Sequence, residues 1–359
     1  MRFLLCILFS AFLITALKSA IAKDVYDPTT CGLPGPGFKG NELKAEERKN
    51  VGNDVKRIVK RDIDKDYSVD YNPTAGDETE EDENDPMRTK IMGGERAAKD
   101  ELPWAALLVL LAEKRICGGT LISRRHIITA AHCFWKSGSP EDSCSVENML
   151  PEGDIPTGAL VRIGGTCLLP DKKHNCTEED LGYLFGIKRA SYRSFFEYRC
   201  SGTRDIAILE LTADVPEHIH HICLPHMNKK IDISDSSLRM SSFGWGGDPI
   251  KNLSSVPFLQ KVMIGVKMTE KECKSSFPEK LDDTFCTFER PDRNVCHGDS
   301  GGGITARIDG RTYLAGVVSF GSSCDDLQSG RAKPEAQVNT DVTKYAALID
   351  SWLGTKKSK

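Results

Sequence analysis

From Ile91 onward the chain is written in short apolar or alternating runs, at 105–111, 116–122, 127–129, 160–163, 206–211, 262–266 and 313–320. Glycine, proline and polar turns separate them, which is the pattern of an antiparallel β protein. No helical stretches of 10–15 residues alternate with the runs, which disfavours a βαβ architecture. One helix is predicted at the end. Val342, Tyr345, Leu348, Ile349 and Trp352 recur at helical spacing, and Asp341 is suited to the N-cap side.

The first 90 residues are different. Residues 1–22 form a signal peptide: Arg2 supplies the positive end, an apolar stretch follows, and Ala20-Ile21-Ala22 gives a small-x-small cleavage site. Its apolar stretch is shorter than the ~20 residues a spanning helix needs. Residues 23–90 hold 12 Lys/Arg against 17 Asp/Glu, a net of −5, and 77–85 is almost entirely acidic. Such a segment cannot bury a core and is expected to be a solvated, largely disordered propeptide. Residues 91–359 are the folded domain. Of 13 cysteines, Cys6 leaves with the signal and twelve remain, an even set suited to disulfides in an oxidising, extracellular location. The net charge of −4 gives no field favouring nucleic acid or an anionic membrane.

Three stretches carry chemistry. Gly298-Asp299-Ser300-Gly301-Gly302 offers a hydroxyl nucleophile on a tight turn. The glycines let backbone N–H groups converge, and those of Gly298 and Ser300 are the expected oxyanion donors. A serine needs a base, and His132 in Thr129-Ala130-Ala131-His132-Cys133 supplies one. Asp205 opens the apolar run Asp205-Ile206-Ala207-Ile208-Leu209. A carboxylate there wants a hydrogen-bonding partner, and an imidazole N–H fits that need.

Together these stretches resemble the chymotrypsin–trypsin family of serine peptidases, with the order His132, Asp205, Ser300. The resemblance runs from Ile91 to about Leu353. It includes Ile91-Met92-Gly93-Gly94, Cys117-Gly118-Gly119-Thr120-Leu121-Ile122, Ile222-Cys223-Leu224-Pro225, Gly244-Trp245-Gly246 and Ser319-Phe320-Gly321. It implies an all-β fold of two six-stranded antiparallel β-barrels, with the triad in the cleft between them and a C-terminal helix. It also implies a secreted serine endopeptidase made as a zymogen. Cleavage after Lys90 would free the Ile91 amino group to pair with Asp299. The implied partners are a protein or peptide substrate, a trypsin-like activating protease and protein inhibitors, with no cofactor and no metal. A catalytically silent homologue that binds partners through an altered pocket is the competing reading.

The resemblance further implies the pairs Cys117–Cys133, Cys273–Cys286, Cys296–Cys324 and Cys31–Cys223, the last tethering the propeptide as a light chain. Cys144, Cys167, Cys176 and Cys200 lie in an insertion between His132 and Asp205 and allow three connectivities. Another family bridge is replaced at both ends, by Met240 and Ala306. The substrate pocket departs from the family. Asn294 stands where trypsin-like members carry an acid, Asp292 is near enough to reach the pocket in a rearranged loop, and Gln337 is the nearest match to an expected glycine. Phe320 replaces a tryptophan on the wall, Ser319 and Gly321 are expected to hold substrate backbone, and His297 lies on the rim. Asn175-Cys176-Thr177 and Asn252-Leu253-Ser254 are glycosylation acceptors.

Overall fold

A computed structural model of the chain describes residues 25–36, 92–136, 146–192, 195, 204–249, 253–278 and 282–355. The expected signal peptide, Lys90, Ile91, Cys144, Cys200 and Asn252 lie outside the described residues, as does the expectation of a disordered propeptide over most of its length.

Two antiparallel sheets account for the domain. Strands β2 (Ala105–Leu110), β3 (Arg115–Leu121), β4 (His126–Thr129), β5 (Ala159–Ile163), β6 (Tyr183–Ser191) and β7 (Ala207–Leu211) close into a six-stranded barrel in the order β2-β3-β4-β7-β6-β5. The second sheet contains β1 (Glu95–Arg96), β8 (Met240–Asp248), β9 (Leu253–Gly265), β10 (Thr284–Phe288), β11 (Gly303–Ile308), β12 (Arg311–Phe320) and β13 (Ala336–Asp341). Its order is β1-β9-β8-β11-β12-β13-β10. The six strands expected there are joined by a seventh, because two residues just inside the domain, Glu95 and Arg96, pair with Lys261 and Gln260.

Strand β2 is buried at every position, as is nearly all of β3, so these runs carry apolar residues on both faces. Closing a sheet on itself also removes its edges. In the second sheet Met240 pairs directly with Ala306, and both are fully buried. Van der Waals packing occupies the place of the missing bridge.

The closing helix forms as the spacing predicts, after a short 3₁₀ turn at Val342–Tyr345. The turn starts where the Thr343 N–H donates to the Asp341 carboxylate at 3.0 Å. The α-helix, Ala346–Leu353, buries Ile349 and Leu353 against the core. Trp352 is half-buried, with the Arg189 guanidinium 4.1 Å from its ring centre.

Residues 25–36 are held on the domain by the Cys31–Cys223 disulfide. Arg311 donates to the Cys31 carbonyl at 2.8 Å, and Gly32 exchanges backbone bonds with His221 and Thr312. His221, one of a cluster of four histidines, is fully engaged: its Nε2 accepts from the Asp27 N–H at 2.9 Å and its Nδ1 faces the Ile222 carbonyl. Burial pushes its pKa down to about 4, so it is neutral at physiological pH.

Candidate active site

The strand pairing brings the expected acid and base together. Strand β4 ends at Thr129 and β7 begins at Ala207, and these two residues face each other across the ladder. The chain leaves β4 into a 3₁₀ turn, Ala131–Phe134, which carries His132. Asp205 enters β7 from the same end. The His132 ring Nδ1 lies 2.7 Å from Asp205 Oδ2, and the His132 backbone N–H donates to Oδ1 at 2.9 Å. Ser319 Oγ donates to Oδ2 at 2.5 Å. Asp205 is 2% exposed. Burial by itself would raise its pKa, but the His132 ring, the Ser319 hydroxyl and the His132 N–H outweigh it, and the carboxyl stays below its ordinary range. A second anchor is the Thr340 hydroxyl, which donates to the Asp205 carbonyl at 2.8 Å.

Ser300 is delivered from the second sheet, three residues ahead of β11. Its carbonyl accepts from the Gly118 N–H of β3 at 2.8 Å and lies 3.6 Å from Cys133 Sγ, beside His132. The loop is thus sewn to the first barrel at the foot of the His132 turn. Gly298 has φ of 92°, a conformation that favours glycine. The N–H groups of Asp299, Gly301 and Gly302 are bonded within the chain at 3.0, 3.0 and 2.8 Å. Those of Gly298 and Ser300 make no such bond among the described residues. These are the two donors that the sequence assigns to an oxyanion.

Asp299 is fully buried. Its oxygens accept from the Gly246 N–H at 2.8 Å and the Cys296 N–H at 2.9 Å. Burial outweighs these two bonds and lifts its pKa to about 6. Among the described residues no cation lies in ion-pair range of it. Met92 is also fully buried, and its carbonyl accepts from the Asn294 N–H at 3.0 Å.

The pocket residues separate. Asn294 is buried, and its Nδ2 has no partner among the described residues. Asp292 does not reach the pocket: its carboxylate is exposed and pairs with Arg290 at 3.2 Å and Arg293 at 3.4 Å, two cations that hold it at the surface. Ser319 is buried, Phe320 is 37% exposed and edge-on to Phe277 at 5.3 Å, and His297 is exposed with its carbonyl bonded to the Gly247 N–H. Sequence reasoning missed two things here. Ser319, expected only to hold substrate, is a direct partner of Asp205. Glu289, buried beside Gly321, carries no signal in the segment Phe288-Glu289-Arg290.

Among the described residues five disulfides are formed: Cys31–Cys223, Cys117–Cys133, Cys167–Cys176, Cys273–Cys286 and Cys296–Cys324. Four match the implied pairs. The fifth resolves the insertion by leaving Cys144 and Cys200 as the remaining two. Their flanks already touch: Phe134 stacks on Tyr192 at 5.6 Å, and the Tyr192 hydroxyl donates to the Leu150 carbonyl at 2.5 Å. Peptide mapping without reduction is expected to recover a Cys144–Cys200 peptide. Recovery of both as free thiols would contradict that pairing.

Comparison with known proteins agrees with this architecture. The family model described as Trypsin matches residues 91–153 and 172–349. The chain is 35% identical over 273 residues to Trypsin-like protease try-5 of Caenorhabditis elegans, covering 70% of this chain and 83% of that one. It is 28% identical over 257 residues to CLIP domain-containing serine protease B14 of Anopheles gambiae, covering 65% of each. It is 29% identical over 248 residues to phenoloxidase-activating factor 1 of Holotrichia diomphalia, covering 66% of this chain and 64% of that one. The chain therefore spans just under two thirds of the two insect proteins. The matched segments contain the second sheet, every strand of the barrel except β5 and all three stretches of the site, and the chain belongs to the trypsin family of serine peptidases.

Proposed function

We propose that the chain is a secreted serine endopeptidase made as a zymogen and activated by cleavage after Lys90. Ser300 Oγ attacks the substrate carbonyl while His132 takes its proton. The tetrahedral oxyanion is held by the Gly298 and Ser300 N–H groups. His132 then returns the proton to the leaving amine, and water hydrolyses the acyl-enzyme by the same steps. Asp205 fixes the imidazole tautomer and steadies the imidazolium. The observation that carries this reading is the buried Asp205 carboxylate, which holds both N–H groups of His132, on the ring and the backbone, at 2.7 and 2.9 Å.

Activation is supported by Asp299, a buried carboxylate that lacks a cation in the described chain. Met92 is already seated against the Asn294 segment, so the next residue back, Ile91, is close enough in sequence to deliver its amino group once freed. A buried acid beside an oxyanion loop gains from such a partner, and breaking a pair of this kind costs ~3–5 kcal/mol. Secretion is supported by the signal peptide and the formed disulfides. Of the two glycosylation acceptors, Asn175 is exposed on a turn with φ of 50°.

The test is covalent labelling. After cleavage at Lys90, an organophosphate is expected to modify Ser300 stoichiometrically, and mass spectrometry locates the adduct. Correctly processed protein that takes up no label would instead fit a silent homologue acting by binding.

A further inference from the structure

We propose that Gln337, backed by Glu289, shortens the pocket for the residue ahead of the scissile bond (P1), so that the enzyme cleaves after glycine, alanine or serine. The inference rests on the serine endopeptidase reading above.

The family resemblance puts the walls of this pocket at 294–298 and 319–321, two segments that Cys296–Cys324 ties together. Gln337, on β13, reaches the second of them. It is 3% exposed, and its Nε2 donates to the Phe320 carbonyl at 2.8 Å, so the carboxamide is pinned against the wall that Gly321 belongs to. A Cβ placed on Gly321 would collide with Gln337 Oε1 and would lie 2.8 Å from both Gln337 Cδ and Glu289 Oε1. The space in front of Gly321, where a substrate side chain would pass, is occupied by these two groups.

Neither group gives way easily. Glu289 is 4% exposed, with Oε1 accepting from the Ser322 N–H at 2.6 Å and Oε2 from the Glu335 N–H at 3.0 Å. A long apolar P1 side chain would have to break the Gln337–Phe320 bond and press on a buried carboxylate, leaving polar groups without partners. A long cationic side chain meets the same carboxamide. A glycine, alanine or serine side chain stops short of both. Discrimination by pocket size of this kind is worth about 10–200-fold.

The experiment uses processed enzyme and tetrapeptide substrates that differ only at P1. Ala and Ser are expected to exceed Lys, Arg, Phe and Leu in kcat/KM by at least about 10-fold. Gln337→Gly removes the carboxamide and exposes the Glu289 side, so the ratio of Lys to Ala is expected to rise by at least about 10-fold. Wild-type preference for Lys, Arg, Phe or Leu overturns the proposal. So does a Gln337→Gly profile identical to wild type, and the wild-type profile decides alone if that variant does not fold. Organophosphate uptake in the same preparation separates the two failures. A labelled enzyme with a long-P1 preference overturns the pocket, whereas an unlabelled one overturns the role of Ser300 and this proposal with it.

Discussion

Asp205→Asn is expected to lower kcat of the processed enzyme by about 10⁴-fold, with KM changed far less. The carboxylate accepts three hydrogen bonds, from the His132 ring, the His132 backbone and Ser319. An amide of the same shape keeps one oxygen acceptor and replaces the other with a donor. If its NH₂ faces His132 Nδ1, the ring must accept there, and its proton moves to Nε2, the atom that should take the Ser300 proton. The imidazolium formed in the reaction also loses its buried counter-charge. The fold is kept, so circular dichroism should change little while single-turnover acylation collapses. An Asp205→Asn enzyme with kcat within about 10-fold of wild type would remove Asp205 from the mechanism.

Lys90→Gln is expected to yield a folded precursor that resists the activator and shows kcat/KM at least about 10²-fold below the processed enzyme, since a single lost oxyanion donor typically costs ~10²–10³. The precursor should also carry a signature in its stability. Asp299 has a folded pKa of about 6 against an ordinary 3.8, raised by burial. A group whose folded pKa is raised contributes stability that is present below about pH 4 and lost as pH rises through about 6. The loss is roughly 3 kcal/mol for a shift of ~2 units, and each kcal/mol moves Tm by about 2–4 °C in a domain of this size. Asp205, Glu210 and Asp27 have lowered pKa values and act in the opposite direction. The informative quantity is therefore the difference between Lys90→Gln and Lys90→Gln/Asp299→Asn, measured by calorimetry from pH 4 to 7. That difference should shift in favour of the Asn variant as pH rises. A constant difference would mean that Asp299 already has a cation in the precursor.

Much of the site could be read from sequence because its chemistry is local. His132, Asp205 and Ser300 each sit in a short motif whose neighbours are constrained by the same chemistry. The closing helix declared itself through period and cap, since Asp341 and the buried Val342, Tyr345 and Ile349 fall within a few turns. The strands were less legible. Met240–Asp248 is rich in glycine and absent from the apolar runs, yet it is an interior strand of its sheet, where Gly244 and Gly246 leave room for Asp299. Tyr183–Ser191 ends in Lys188 and Arg189, two charges that hide its alternation but pair with Glu210 on β7. The pocket was least legible. Gln337 and Glu289 lie 48 residues apart, and only the pairing of β10 with β13 places them on the same side of Gly321. No local pattern encodes that meeting.

The bond between Cys31 and Cys223 spans 192 positions. On the proposed cut at Lys90 the two pieces therefore stay joined, and they separate only under a reductant. Under the proposed activation, the acidic run at 77–85 stays covalently attached to the domain through this disulfide. Any cationic macromolecule that associates with that run is confined near the enzyme at an elevated effective concentration. Association of basic partners would then weaken as ionic strength rises.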